Sequence, residues 1–206
     1  MLSLALSAFV MGCSRENRPA VPYYTEATFT PVWEMPASGH DHQIGLFRFT
    51  DQYGQAFGSK EVSGKIYLAN FFFTSCKGIC PKMLGNMHKV YRHFSGNRDV
   101  LFVSHSVTPE MDSVSRLKQY AADNNISGRQ WHLLTGNVND IYRMARQQYM
   151  VEEADGLTRD STEFLHTENM VLVDRNGRIR GLYNGTVATE VPRIIADIDA
   201  LLKEQQ

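Results

Sequence analysis

Two hydrophobic periods alternate along the chain from about residue 42 onward. IGLFRFT (44–50) alternates apolar and polar positions and predicts a strand, with DQYG (51–54) as a turn and a second short element after it. KIYLANFFF (65–73) is almost continuously apolar, the pattern of a strand covered on both faces. PKMLGNMHKVYRHF (81–94) switches to helical spacing, with Met83, Met87, Val90, Tyr91 and Phe94 on one side. DVLFVSHSV (99–107) predicts another buried strand, and 109–125 a helix with Pro109 in its first turn. QWHLLTG (130–136) is a short strand, and 137–149 a helix opened by the capping residue Asn137. NMVLVDRNGRIRGLYNG (169–185) reads as a hairpin around Arg175-Asn176-Gly177, and 191–205 as an amphipathic closing helix.

The first forty residues lack this order. Residues 2–11 form an apolar run too short to span a bilayer, matching the core of an export signal, although no Lys or Arg precedes it. Val10-Met11-Gly12-Cys13 resembles a bacterial lipobox, in which the cysteine becomes the lipidated first residue of the mature protein. The expectation is a lipoprotein signal peptide over 1–12, lipidation at Cys13 and a bacterial domain held on the membrane outside the cytoplasm. Residues 13–40, polar and proline-rich, then form a tether and irregular arm, with Phe29 and Trp33 packing onto a single domain over 41–206.

Composition adds mainly exclusions. The 206 residues are 43% hydrophobic and 11% aromatic, enough to fill one core. A net charge of −1, without an arginine-rich stripe, points away from nucleic acid. Three cysteines, Cys13, Cys76 and Cys80, are too few for a disulfide framework.

The candidate chemistry is FFFTSCKGICPKM (71–83). Cys76 falls in the loop after the strand and Cys80 just before Pro81, where a helix begins. Free N–H groups and the positive end of the helix dipole lower thiol pKa there, and thiolate is the form that binds metal or attacks a disulfide. C-x-x-x-C is one residue longer than the C-x-x-C redox motif, and two cysteines cannot make a closed four-cysteine zinc site. The pair can close a disulfide, cycle as a dithiol, or grip one soft cation such as Cu(I) with a further donor. Among seven histidines, His88 and His93 read as surface or packing residues of the helix, and His105 as a satisfied core residue. His132 is flanked by apolar side chains, and His40 and His42 form an incidental H-x-H pair in the arm. His166, immediately before the hairpin, sits where a sheet of this order brings a strand start to the first helix's N-terminus.

The element order is that of a thioredoxin-like α/β fold, a mixed sheet flanked by helices. FFFTSCKGICPKM followed by FLHTENMVLVD, with KIYLANFFFTSC and the DRNG hairpin, resembles the Sco/SenC family over roughly residues 30–205. The resemblance implies a copper chaperone for the dinuclear copper site of cytochrome c oxidase, with Cys76, Cys80 and His166 as Cu(I) or Cu(II) ligands. It also implies thiol-disulfide oxidoreductase activity at Cys76 and Cys80. Expected partners are the oxidase copper-site subunit or another copper chaperone, and the membrane through a lipid anchor. The family's D-P-x-x-D segment reads Thr108-Pro109-Glu110-Met111-Asp112 here, so its first acid is missing. No proline stands directly before the 169–174 strand, where thioredoxins bind substrate disulfides, which favours metal holding.

Overall fold

A computed structural model describes residues 21–34, 41–126, 129–151 and 167–204. Its described strands are β1 (Arg48–Asp51), β2 (Ala56–Gly58), β3 (Ile66–Phe72), β4 (Val100–Ser106), β5 (Trp131–Thr135), β6 (Asn169–Val173) and β7 (Ile179–Asn184). They form one sheet in the order β2-β1-β5-β4-β3-β6-β7. β3, β4 and β5 run parallel and the remaining pairs antiparallel. The helices are α1 (Ser59–Val62), α2 (Cys80–His93), α3 (Val114–Asp123), α4 (Val138–Arg143) and α5 (Glu190–Lys203). Among the described residues no helix is long and apolar enough to cross a membrane.

The apolar run of β3 follows from its place in the middle of this sheet. Ile66, Leu68 and Phe72 join a core with Met83, Met87 and Val90 of α2 and Ile194, Ile198 and Leu201 of α5. Tyr67, Ala69 and Phe71 turn to the other face, packing with Ile141, Ala145 and Tyr149. A period-2 element with apolar cover on both faces leaves no position for a polar alternation. Asn70 is the exception, and it is satisfied: Ser104 Oγ donates to its Oδ1 at 2.6 Å, and Trp131 Nε1 donates to Ser104 Oγ at 3.0 Å.

Three predicted elements differ in extent. The 44–50 strand reduces to β1, because Ile44 N is taken by the Gly177 carbonyl at 2.8 Å and its segment crosses the hairpin turn instead of joining the β1–β2 ladder. The 109–125 helix begins only after Ser113, whose side chain accepts Arg116 N–H as the N-cap. Residues 108–112 instead make a separate turn, with Met111 and Asp112 N–H on the Thr108 carbonyl. The third helix widens from α4 into a π-turn at Met144–Gln148, closed by Tyr149 N–H on the Met144 carbonyl. The predicted hairpin is present, with Gly177 at φ 78, where a glycine is at ease.

The described part of the arm is irregular yet docked. Val21 is fully buried, and Tyr24 N–H bonds the Ile179 carbonyl at 3.0 Å. Arg180 clamps it, donating to the Val21 and Pro22 carbonyls while pairing with Asp174 and Glu204 and stacking on Tyr23. Phe29 packs on the second core as expected, but Trp33 remains 45% exposed, since the Tyr23–Val32 bridge turns the chain back just before it.

Candidate metal centre

The cysteine loop is built where β3 ends. Val107 N–H on the Phe72 carbonyl extends the β3–β4 pairing by one residue, and Cys76 N–H turns back onto the Phe73 carbonyl at 3.2 Å. α2 starts at Cys80 with Pro81 in its first turn, and Lys82 and Met83 N–H both close on the Ile79 carbonyl. Cys80 is buried in the α2 core, while Cys76 is half-buried at the surface end of the loop; both are free thiols.

The two sulfurs differ in character. Burial raises a thiol pKa, but at Cys76 hydrogen bonds from the Cys80 thiol and from the N–H groups of Cys80, Gly78 and Ile79 outweigh it, and its pKa falls below the ordinary thiol value. Burial pushes Cys80 up to about 12, helped by its donation to Cys76 and by the charge there. Tyr120 of α3 is pushed up to about 12, first by its own burial and then by the charges of Cys80 and Cys76. Its ring packs on Phe72 at 5.5 Å. Behind Cys80 a cavity of about 10 Å³, lined also by Asn70, Ser104, Tyr120 and Trp131, is the size of one water.

Cys76 and Cys80 are therefore brought together as expected. His166, Cys13 and His40 lie outside the described residues. The other histidines have structural surroundings. His88 is half-buried against the Trp131 ring at 4.9 Å, and His93 lies 3.9 Å from Asp199. His132 stacks on Phe57 at 4.0 Å and meets Asp51 at 3.1 Å. His42 Nε2 donates to the Gln148 carbonyl at 2.6 Å, so it fastens the π-turn. His105 is fully buried among Phe47, Phe49, Phe71 and Tyr149, but it is not a satisfied core residue. Nε2 is 3.5 Å from Tyr149 Oη, and Nδ1 has no partner among the described residues. Among the described residues no group of three or more His, Cys, Asp or Glu could hold a metal. The described donors are the two thiols.

One group near the site had only a faint sequence signal. Asp112, the second acid of the Thr108–Asp112 segment, is 1% exposed and points inward. Its carboxylate accepts from Thr74 N and Oγ1, Ser106 Oγ and Thr108 Oγ1, and Thr74 lies two residues before Cys76.

A mixed sheet covered on both faces, with a dithiol at a strand-to-helix junction, defines a thioredoxin-like protein. The chain belongs to the SCO1/SenC family, whose profile matches residues 35–203. A SCO1/SenC family lipoprotein from Bacillus anthracis is 30% identical with a TM-score of 0.69, over 82% of this chain and all of that one. BsSco, a member of the Sco family of cytochrome c oxidase assembly proteins in which a disulfide switch was identified, is 28% identical with a TM-score of 0.66, over 83% of this chain and 100% of its own. ScoI from Bradyrhizobium japonicum, solved with copper bound, is 27% identical with a TM-score of 0.56, over 72% of this chain and 97% of its own.

Proposed function

We propose that this chain is a metallochaperone that holds copper between Cys76, Cys80 and His166 and delivers it to the dinuclear copper site of cytochrome c oxidase during assembly. The observation that carries the reading is the pair of hydrogen-bonded thiols at the N-terminus of α2, in a family that includes the copper-bound ScoI. Two thiolates suit Cu(I), an imidazole adds tolerance for Cu(II), and three protein ligands leave one side open to an incoming donor. A bound cation deprotonates a coordinating thiol outright, so the cargo itself removes the proton that burial retains on Cys80. His166 is supported by its neighbour: the described chain resumes at Thr167, and Met170, three residues on, pairs with Asn70 near the cysteine end of β3 and shares a core with Cys80. In this reading Cys13 carries a lipid that anchors the domain on the outer face of a bacterial cytoplasmic membrane, and the acceptor is the oxidase copper-site subunit or another copper chaperone.

The unequal thiols favour a second reading, a thiol-disulfide oxidoreductase acting on the oxidase copper-site cysteines. The Cys76 thiolate would attack a partner disulfide. Cys80, losing its proton, would then displace the partner's second thiolate, leaving a Cys76–Cys80 disulfide and a partner reduced by two electrons. Cys80 has to give up the proton that burial retains on it in either role.

Copper titration of the reduced full chain tests the first reading. The parent binds one equivalent, Cys76→Ser and Cys80→Ser lose it, and His166→Ala binds more weakly with a changed spectrum. An unchanged His166→Ala removes that ligand, and a parent that binds no copper but reduces the oxidase subunit moves the assignment to the second reading.

A further inference from the structure

Asp112 closes the turn that precedes α3 and meets the start of the cysteine loop at Thr74. It is a carboxylate with 1% exposure whose partners among the described residues are hydroxyls and a main-chain N–H. Ser106 Oγ donates to Oδ2 at 2.6 Å and Thr108 Oγ1 to the same oxygen at 3.1 Å. Those two residues close the end of β4 and fix the acid. Its remaining reach is spent on one residue of the neighbouring segment: Thr74 Oγ1 donates to Oδ1 at 2.6 Å, and Thr74 N–H to Oδ2 at 3.2 Å. Arg116 Nε donates to the same Thr74 hydroxyl at 3.0 Å, so an exposed guanidinium of α3 reaches the buried acid through threonine.

We infer that Asp112 is a positioning residue for the metal-holding loop: it grips Thr74 at both its backbone and its hydroxyl and thereby fixes where β3 hands over to Cys76. The geometry explains the residue type. A hydroxyl that accepts from Arg116 and donates to Asp112 needs a full acceptor on the acid side, and the N–H needs a second one. An amide at 112 supplies a single oxygen and turns its NH₂ onto a donor. Burying that mismatch breaks the grip even though the side chain keeps its shape. Thr108, standing where the family pattern has an acid, fits the same arrangement. Its hydroxyl becomes one more donor to Asp112 where a second carboxylate would repel it.

The inference deepens the copper reading and rests on it for the metal readout alone. Full-chain Asp112→Asn, Thr74→Val and Thr74→Ser are compared with the parent by Cu(I) competition against a chromophoric chelator and by the thiolate-to-Cu(II) charge-transfer band. Asp112→Asn and Thr74→Val are expected to weaken Cu(I) binding by about tenfold or more and to shift the band. The double variant should be no worse than the weaker single one, because both remove one grip. Thr74→Ser, which keeps hydroxyl and N–H, should bind as the parent does. A purely structural acid would lower the unfolding midpoint and leave affinity and band of the folded protein unchanged, and that result overturns the inference. Should Asp112→Asn fail to fold, Thr74→Val decides alone by the same criteria. If the parent binds no copper, the copper reading falls. The positioning role is then decided by amide hydrogen exchange over residues 74–79, where acceleration relative to the β3 amides in Thr74→Val supports it and unchanged exchange refutes it.

Discussion

The Cys80 thiol donates a hydrogen bond to Cys76, and that bond divides one motif into two unlike sulfurs. Cys76 is half-buried and more acidic than an ordinary thiol, whereas Cys80 is buried and holds its proton up to about 12. Iodoacetamide should therefore modify Cys76 at least about tenfold faster than Cys80 near neutral pH. The preference should vanish in denaturant. Peptide mass spectrometry across a pH series checks it, and equal rates in the folded protein would contradict the asymmetry.

The same shift has a stability consequence at high pH. The unfolded Cys80 thiol ionises near the ordinary value, while the folded one stays protonated to about 12. Over that interval the folded state holds a proton the unfolded chain has lost, so stability falls as pH rises from about 8.5 toward 12. Cys80→Ser should flatten that decline, read as urea midpoints of the reduced protein across the alkaline range.

His105 acts at the other end of the scale. Burial lowers its pKa to about 3, against about 6.5 in an unfolded chain. Between these values only the unfolded chain is protonated, so the stabilising contribution is complete above about 6.5 and drains away as pH falls toward 3. His105→Phe fits the surrounding aromatic box and removes the unpartnered Nδ1. It should lose less stability than the parent between neutral and acid pH, measured by denaturant midpoints at each.

Arg180→Met removes a side chain that is almost wholly buried and leaves the Asp174 carboxylate without its cation. Breaking a buried pair from one side costs about 3–5 kcal/mol. The arm at 21–34 loses two of its carbonyl contacts in the same step, so limited proteolysis should cut there first, before global unfolding.

What the sequence made legible was whatever depends on local pattern and burial. β3 and β4 were readable because both faces of each are covered and the apolar run is unbroken. The hairpin was readable because Asn-Gly needs no distant partner. The start of α3 was misread because Pro109 suits a first helical turn, yet the deciding interactions are Ser113 capping Arg116 and Asp112 turned toward Thr74, 38 residues away. No residue type announces the π-turn after α4, which His42 fastens from across the chain. At the site, the cysteine spacing and the following proline gave both thiols their places. Their opposite acidities depend on which sulfur faces the core, a property of the packed loop.

The arm and the dithiol sit at opposite ends of the sheet's strands. Val173 pairs with Tyr67 at the start of β3, and Arg180, three residues past Gly177 of the hairpin turn, grips the arm at that end, whereas the cysteine loop follows Phe72 at the far end. Arg180 ties Val21 and Pro22 to Asp174 of the hairpin and Glu204 after the last helix. The sulfur-bearing loop takes no part in that clamp, so a displacement of the arm enters the molecule at the end away from the thiols.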